Sequence, residues 1–194
     1  MKILLTAVSA FALSGCIIVD AAPSSFAPTA NAVTKLAPFD RVELRGGGEI
    51  MIRFSSDYTF ENTSDNSYWA VGIDDDALVL SCYKSCVGSN SRSGIVTMPR
   101  IEGLKIKGGA DIDFEGAFEK RDEFKIELLG GGDVNAFAVP ADKVDVSIKG
   151  GGDIKVSPSS ELNVSIFGGG DVQYRGTPEV SKSIFGGGEV RSVD

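Results

Sequence analysis

Six near-copies of one phrase constrain what this chain can fold into. Four are closely alike: Leu-Gly-Gly-Gly-Asp-Val at 129–134, Lys-Gly-Gly-Gly-Asp-Ile at 149–154, Phe-Gly-Gly-Gly-Asp-Val at 167–172 and Phe-Gly-Gly-Gly-Glu-Val at 185–190. Two looser copies stand upstream, Arg-Gly-Gly-Gly-Glu-Ile at 45–50 and Lys-Gly-Gly-Ala-Asp-Ile at 107–112. The first glycines of the last five copies are 22, 20, 18 and 18 residues apart. Self-similarity at a nearly fixed period marks stacked repeats. It accounts together for the 24 glycines and for the acidic net charge of −8. It also implies that function resides on a surface rather than in a pocket.

Aligning the copies on their first glycine exposes four apolar columns. Two residues before it stand Leu44, Ile106, Leu128, Ile148, Ile166 and Ile184; four before it stand Val42, Leu104, Ile126, Val146, Val164 and, breaking the column, Lys182. After the acid come Ile50, Ile112, Val134, Ile154, Val172 and Val190, and two further on Ile52, Phe114, Ala136, Val156, Tyr174 and Ser192. The intervening positions, Glu43, Lys105, Glu127, Ser147, Ser165 and Ser183, are polar. Period-2 alternation broken by a glycine corner predicts two half-buried strands per repeat, and nothing has helical period. The expected class is all-β. A right-handed parallel β-helix-like solenoid with about 18–22 residues per coil explains why each column keeps its residue type, because like stacks on like. The alternative is an antiparallel hairpin meander, since Gly-Asp between alternating strands is also a turn signal. The 62 residues between the first and second copies would hold roughly two further, less regular coils, around Tyr58, Trp69–Ile73, Ala77–Cys82 and Ile95–Met98. Asp74-Asp75-Asp76 reads as a turn between two strands.

The N-terminus is read apart from the fold. A short positive start, Met1-Lys2, leads into a mostly apolar stretch too short to span a bilayer, ending in Leu13-Ser14-Gly15-Cys16. This resembles the lipobox of bacterial lipoproteins, which implies cleavage of residues 1–15 and lipid on Cys16. The alternative is an ordinary secretory signal whose apolar region contains a cysteine. Ile17 rather than aspartate after the cysteine is similar to the sorting signal for the outer membrane, and several acyl chains would anchor the protein stably there. Residues 16–38, rich in Ala, Pro, Ser and Thr, read as a tether from lipid to a domain at 39–194. An acidic chain is not expected to bind nucleic acid. Cys82 and Cys86 would form a local disulfide in an oxidising envelope, or else a metal pair, although no histidine exists to complete such a site.

The whole pattern resembles the GIN domain, described as an autotransporter-adhesin head. The resemblance is carried by Phe39-Asp40-Arg41-Val42-Glu43-Leu44, by Met98-Pro99-Arg100-Ile101-Glu102-Gly103-Leu104-Lys105-Ile106, by the glycine corners and by Tyr174-Arg175-Gly176-Thr177-Pro178. It implies a β-helix-like solenoid, often behind a lipoprotein signal, and brings no catalytic or binding residues with it.

The corner acids are the first candidates for chemistry. In a stack, Asp111, Asp133, Asp153, Asp171 and Glu189 would lie about 4.8 Å apart, where like charges repel by about 1 kcal/mol in water. Either each carboxylate accepts hydrogen bonds from N–H groups of its own glycine corner, or the row holds Ca²⁺, which favours clustered carboxylate oxygens. No cofactor is otherwise expected. Carboxylates at this separation also suit a retaining glycosidase, so a polysaccharide-acting hydrolase or lyase is the alternative function, although any stacked row of acids produces the spacing. The expected function is non-catalytic: a cell-envelope lipoprotein presenting an acidic Gly-Gly-Gly-Asp ladder as a binding or adhesin-like module. A second candidate is the outward column Arg45, Lys107, Leu129, Lys149, Phe167, Phe185. Phe167 and Phe185 either shield the last repeat by stacking on each other or form a strip for a protein or glycan partner.

Overall fold

A computed structural model describes residues 32–64, 69–82 and 92–194, and among them there is no helix. Strands β1 (Val33–Lys35), β2 (Arg41–Arg45), β3 (Gly48–Phe54), β4 (Thr59–Asn62), β5 (Trp69–Asp74), β6 (Ala77–Cys82) and β7 (Ser93–Met98) form the first half. The second half comprises β8 (Gly103–Glu115), β9 (Arg121–Gly131), β10 (Val134–Tyr174), β11 (Glu179–Gly187) and β12 (Val190–Ser192). Although β10 is extended throughout, positive-φ glycines Gly150, Gly152 and Gly168 interrupt it at its two corners.

Successive repeats pair in parallel, and their register repeats the sequence alignment. Ile106 lies beside Leu128, Leu128 beside Ile148, and Ile166 beside Ile184, offsets of 22, 20 and 18 residues. The two strands flanking a corner do not pair with each other: β2 bonds to β6 and β8, whereas β3 bonds to β7 and β8. The repeats therefore are not hairpins, which corrects the meander alternative. The corners stack instead: the first glycine of each later copy, Gly108, Gly130, Gly150, Gly168 and Gly186, sits against the carbonyl of the corner one repeat back. Among the described residues, antiparallel pairing joins β1 to β4, β4 to β7 and β5 to β6.

The four apolar columns form the core. Leu44, Ile106, Leu128, Ile148 and Ile166 are fully buried, as are Ile52, Val134, Ile154, Val156 and Val172, or nearly so. Burying each such side chain is worth roughly 1.5–3 kcal/mol. In the last repeat the columns lapse: Ile184 is half-buried and Lys182 and Ser192 are exposed. At the opposite end Phe60 packs edge-on to Trp69, and midway along the strand order Phe114 packs edge-on to both Phe118 and Phe124.

Two expectations are revised. The first copy pairs directly with the second, β2 and β3 both against β8, so no coils intervene between them. The strands of the intervening sequence lie on the far side of the first copy, in the orders β5-β6-β2-β8 and β4-β7-β3-β8. The extra strands were found where expected, but their position follows from long-range register, which no local pattern encodes. The second revision concerns the tether: Val33–Lys35 pair with Thr59–Glu61 and Leu36 N–H donates to the Tyr58 carbonyl (2.9 Å), so order begins before residue 39. A three-residue edge strand is too short to announce itself by alternation.

Candidate functional site

Each corner is built by glycines in two stacked columns. Gly108, Gly130, Gly150, Gly168 and Gly186 have φ between 129° and 135°, and a Cβ on any of them would collide with the carbonyl of the glycine one repeat back. The acid follows immediately and faces outward. Its carboxylate is engaged, but not as expected. Asp133 N–H donates to Asp111 Oδ1 (3.0 Å), Asp153 N–H to Asp133 Oδ1 (3.0 Å), and Glu189 N–H to Asp171 Oδ1 (2.9 Å). The donor is thus the next repeat's acid rather than the acid's own corner. The carboxylates of Asp111, Asp133 and Asp171 thus each clip two repeats together, and each N–H placed between neighbouring negative charges offsets part of their repulsion. Asp111, Asp133 and Asp153 share a shallow concavity of about 290 Å³ with Asp113, Asn135, Lys155 and Gln173. There Asn135 donates its amide to Asp113 (3.2 Å). Among the described residues no group of three or more His, Cys, Asp or Glu side chains is gathered closely enough to hold a metal ion.

Phe167 and Phe185 lie side by side in register, ring centroids 6.0 Å apart with planes tilted by 40°. They stack on each other and yet remain 68% and 65% exposed. Stacking and availability coexist. Cys82 ends β6, and Cys86 lies outside the described residues, as does Cys16 with the segment 1–31.

Sequence reasoning missed a broad groove of about 610 Å³ on the outer face. It runs across β2, β8, β9, β10 and β11, between the outward column Arg41, Gly103, Lys125, Asp145, Asn163, Ser181 and the outward column Glu43, Lys105, Glu127, Ser147, Ser165, Ser183. In the sequence the second column shows only as the polar half of the alternation; its decline from long ionic side chains to serine is the available signal. At the ionic end the charges satisfy one another. Glu43 bonds to Arg45 (2.6 Å) and Lys107 (2.7 Å), and Lys105 pairs with Glu127. Burial pushes the Glu43 carboxyl up, but the hydrogen bonds from Arg45 and Lys107 outweigh it and hold the group below the usual carboxylate range.

Comparison with known proteins bears on this architecture. The solved structure of a putative adhesin from Bacteroides fragilis is similar with a TM-score of 0.51 at 21% identity, covering 88% of this chain and 99% of that one. A putative adhesin from Parabacteroides merdae gives a TM-score of 0.44 at 18% identity, covering 84% and 95% respectively. The first of these shows a shared fold. No curated protein sequence matches the chain. The family model described as "Putative auto-transporter adhesin, head GIN domain" matches residues 118–178, which contain β9, β10 and three of the glycine corners. Over these residues the chain is similar to the GIN domain, and the similarity includes three of its glycine-acid corners.

Proposed function

We propose that this chain is a non-catalytic, adhesin-like binding module of the cell envelope. Its repeats form a right-handed β-helix-like solenoid of about 18–22 residues per coil, held at the outer membrane by lipid on Cys16. Parallel pairing at offsets equal to the repeat length supports the coil reading, and the adhesin description of the matched family supports the role. The observation that carries the binding role is the exposed, mutually stacked pair Phe167 and Phe185 on a rigid sheet face. Exposed apolar surface held in one geometry marks an interaction site. Three of the five corner carboxylates, those of Asp111, Asp133 and Asp171, are employed in joining repeats, which favours a structural role for the row over hydrolysis or calcium binding. Lipid attachment is tested by metabolic palmitate labelling, with Cys16→Ala expected to abolish it. Binding is tested by capture of intact cells on immobilised protein. Phe167→Ser/Phe185→Ser protein is expected to capture markedly fewer, and equal capture by the variant would remove the pair from the surface. Calcium at millimolar concentration is expected to leave the melting temperature unchanged, and a clear rise would reinstate a cation on the acidic row.

A further inference from the structure

The groove beside the phenylalanine pair has a chemistry of its own. Its two ends differ. Toward β2, β8 and β9 its charged side chains are long and paired with one another. Toward β10 and β11 its walls shorten to Ser147, Ser165, Ser181 and Ser183, with Asn163 donating its amide to Asp145 (2.9 Å) and with one cation, the exposed Lys182 of the edge strand. Phe167 and Phe185 follow Ser165 and Ser183 by two residues, hence share their outer face and lie about 7 Å further along the strands. Exposed aromatic faces therefore border a row of hydroxyls, repeated at the strand spacing of about 4.8 Å.

Few ligands suit such a surface. A polyanion or polycation would need a row of like charges, whereas the groove's four bases, Arg41, Lys105, Lys125 and Lys182, stand against three acids, Glu43, Glu127 and Asp145, in a chain whose net charge is −8. An apolar helix would need aliphatic side chains that reach outward, whereas Val42, Leu104, Ile126, Val146 and Val164 in this groove's floor are almost wholly buried and the side chains that stand up from it are polar. A sugar presents what is complementary: an apolar C–H face for a ring and equatorial hydroxyls for serine, asparagine and carboxylate partners. A polymer of sugars would repeat those groups along the stacking direction, as the protein repeats its own. The volume lies within the ordinary range of ligand sites.

We propose that this groove binds a neutral, linear glycan laid across the strands, with Phe167 and Phe185 against the faces of successive sugar rings and Ser147, Ser165 and Ser183 against their hydroxyls. This deepens the binding-module reading and rests on it. The test titrates the full chain with hexasaccharides of β-1,4-glucan, xylan, chitin and mannan, and with hexagalacturonate, by calorimetry and by NMR of the phenylalanine rings. At least one neutral hexasaccharide is expected to bind and to shift the resonances of Phe167 and Phe185. Phe167→Ala/Phe185→Ala should weaken it about tenfold, and Ser147→Ala/Ser165→Ala should weaken it less. Asp133→Asn, remote from the groove, should not. Because both rings are exposed, the phenylalanine variant should melt with the wild type, which separates lost binding from lost folding. The proposal is overturned if no neutral hexasaccharide binds, if only hexagalacturonate does, or if the double phenylalanine variant binds as the wild type does. Cell capture that persists without glycan binding would sink the glycan assignment and spare the binding module; absence of both would sink both.

Discussion

Adjacent glycines in one corner carry unequal constraints. Gly108 has φ +129° and faces the carbonyl of Gly46, whereas a Cβ on Gly109 would have nothing within 4 Å. The sequence shows three equivalent small residues in a row; only the stacking of one corner on the next separates them. Gly108→Ala is expected to cost about 3 kcal/mol through left-handed backbone strain and collision. Gly109→Ala should be neutral or stabilise by up to about 0.5 kcal/mol. Urea denaturation of the two variants measures the contrast, and equal losses would contradict the stacked corner. Glu43 offers a second test. Its folded-state pKa is depressed, so its stabilising effect is present above the unfolded carboxyl value of about 4.3 and disappears as pH falls through the folded value. Glu43→Gln should cost about 1–2 kcal/mol at pH 7. It should also lose less stability than the wild type on acidification, as read from melting temperatures between neutral pH and pH about 3.

Among whole elements, local chemistry decides which were legible. The run Asp74-Asp75-Asp76 does form the predicted turn: Asp74 pairs with Ala77, and Asp75 and Asp76 adopt positive φ of 45° and 61°. Aspartate tolerates that conformation, which a two-residue hairpin requires. Strand β1 left no comparable trace because three residues cannot establish alternation. The end strand β11 is the most instructive element. Its columns hold Val180 and Ile184, half-buried, but Lys182 stands beside Val164 where earlier repeats have aliphatics. A parallel edge with an intact apolar column would offer a template to another chain, and a charge within the column makes that addition unfavourable. Lys182→Val is therefore expected to increase self-association in sedimentation velocity at matched concentration, while Lys182→Arg should not. An unchanged sedimentation profile for Lys182→Val would show that the lysine does not guard the edge.

Over the whole molecule, the apolar columns and their parallel register follow from period-2 alternation, but the order of the strands does not. The first copy is flanked on one side by β8 and on the other by β6 and β7, which come later in the chain. Val42 and Ile52 fit equally well against either neighbour by residue type, so only three-dimensional closure selects the arrangement. The outer groove was hidden for a related reason, since a concavity needs the relative reach of Arg41, Gly103 and Ser165 across strands that are distant in sequence. This order makes the two ends unequal. At one end, antiparallel β5 covers β6 and antiparallel β4 covers β7, over Trp69 and Phe60 with no exposure. At the other, β11 pairs only with β10, and its side chains are largely exposed. In a stack whose units contact only their neighbours, opening starts where one neighbour is missing. Native-state hydrogen exchange should therefore show a one-sided gradient. Amides of β11 and β12 should exchange through local opening at low free energy, those of β10 around Ile166 should be intermediate, and those of β8 and β9 should approach the global value. Amides of β6 and β7 should be protected nearly as well as β8, because their outer edges are covered. Fraying of β6 and β7 as readily as β11 would refute the inequality of the two ends.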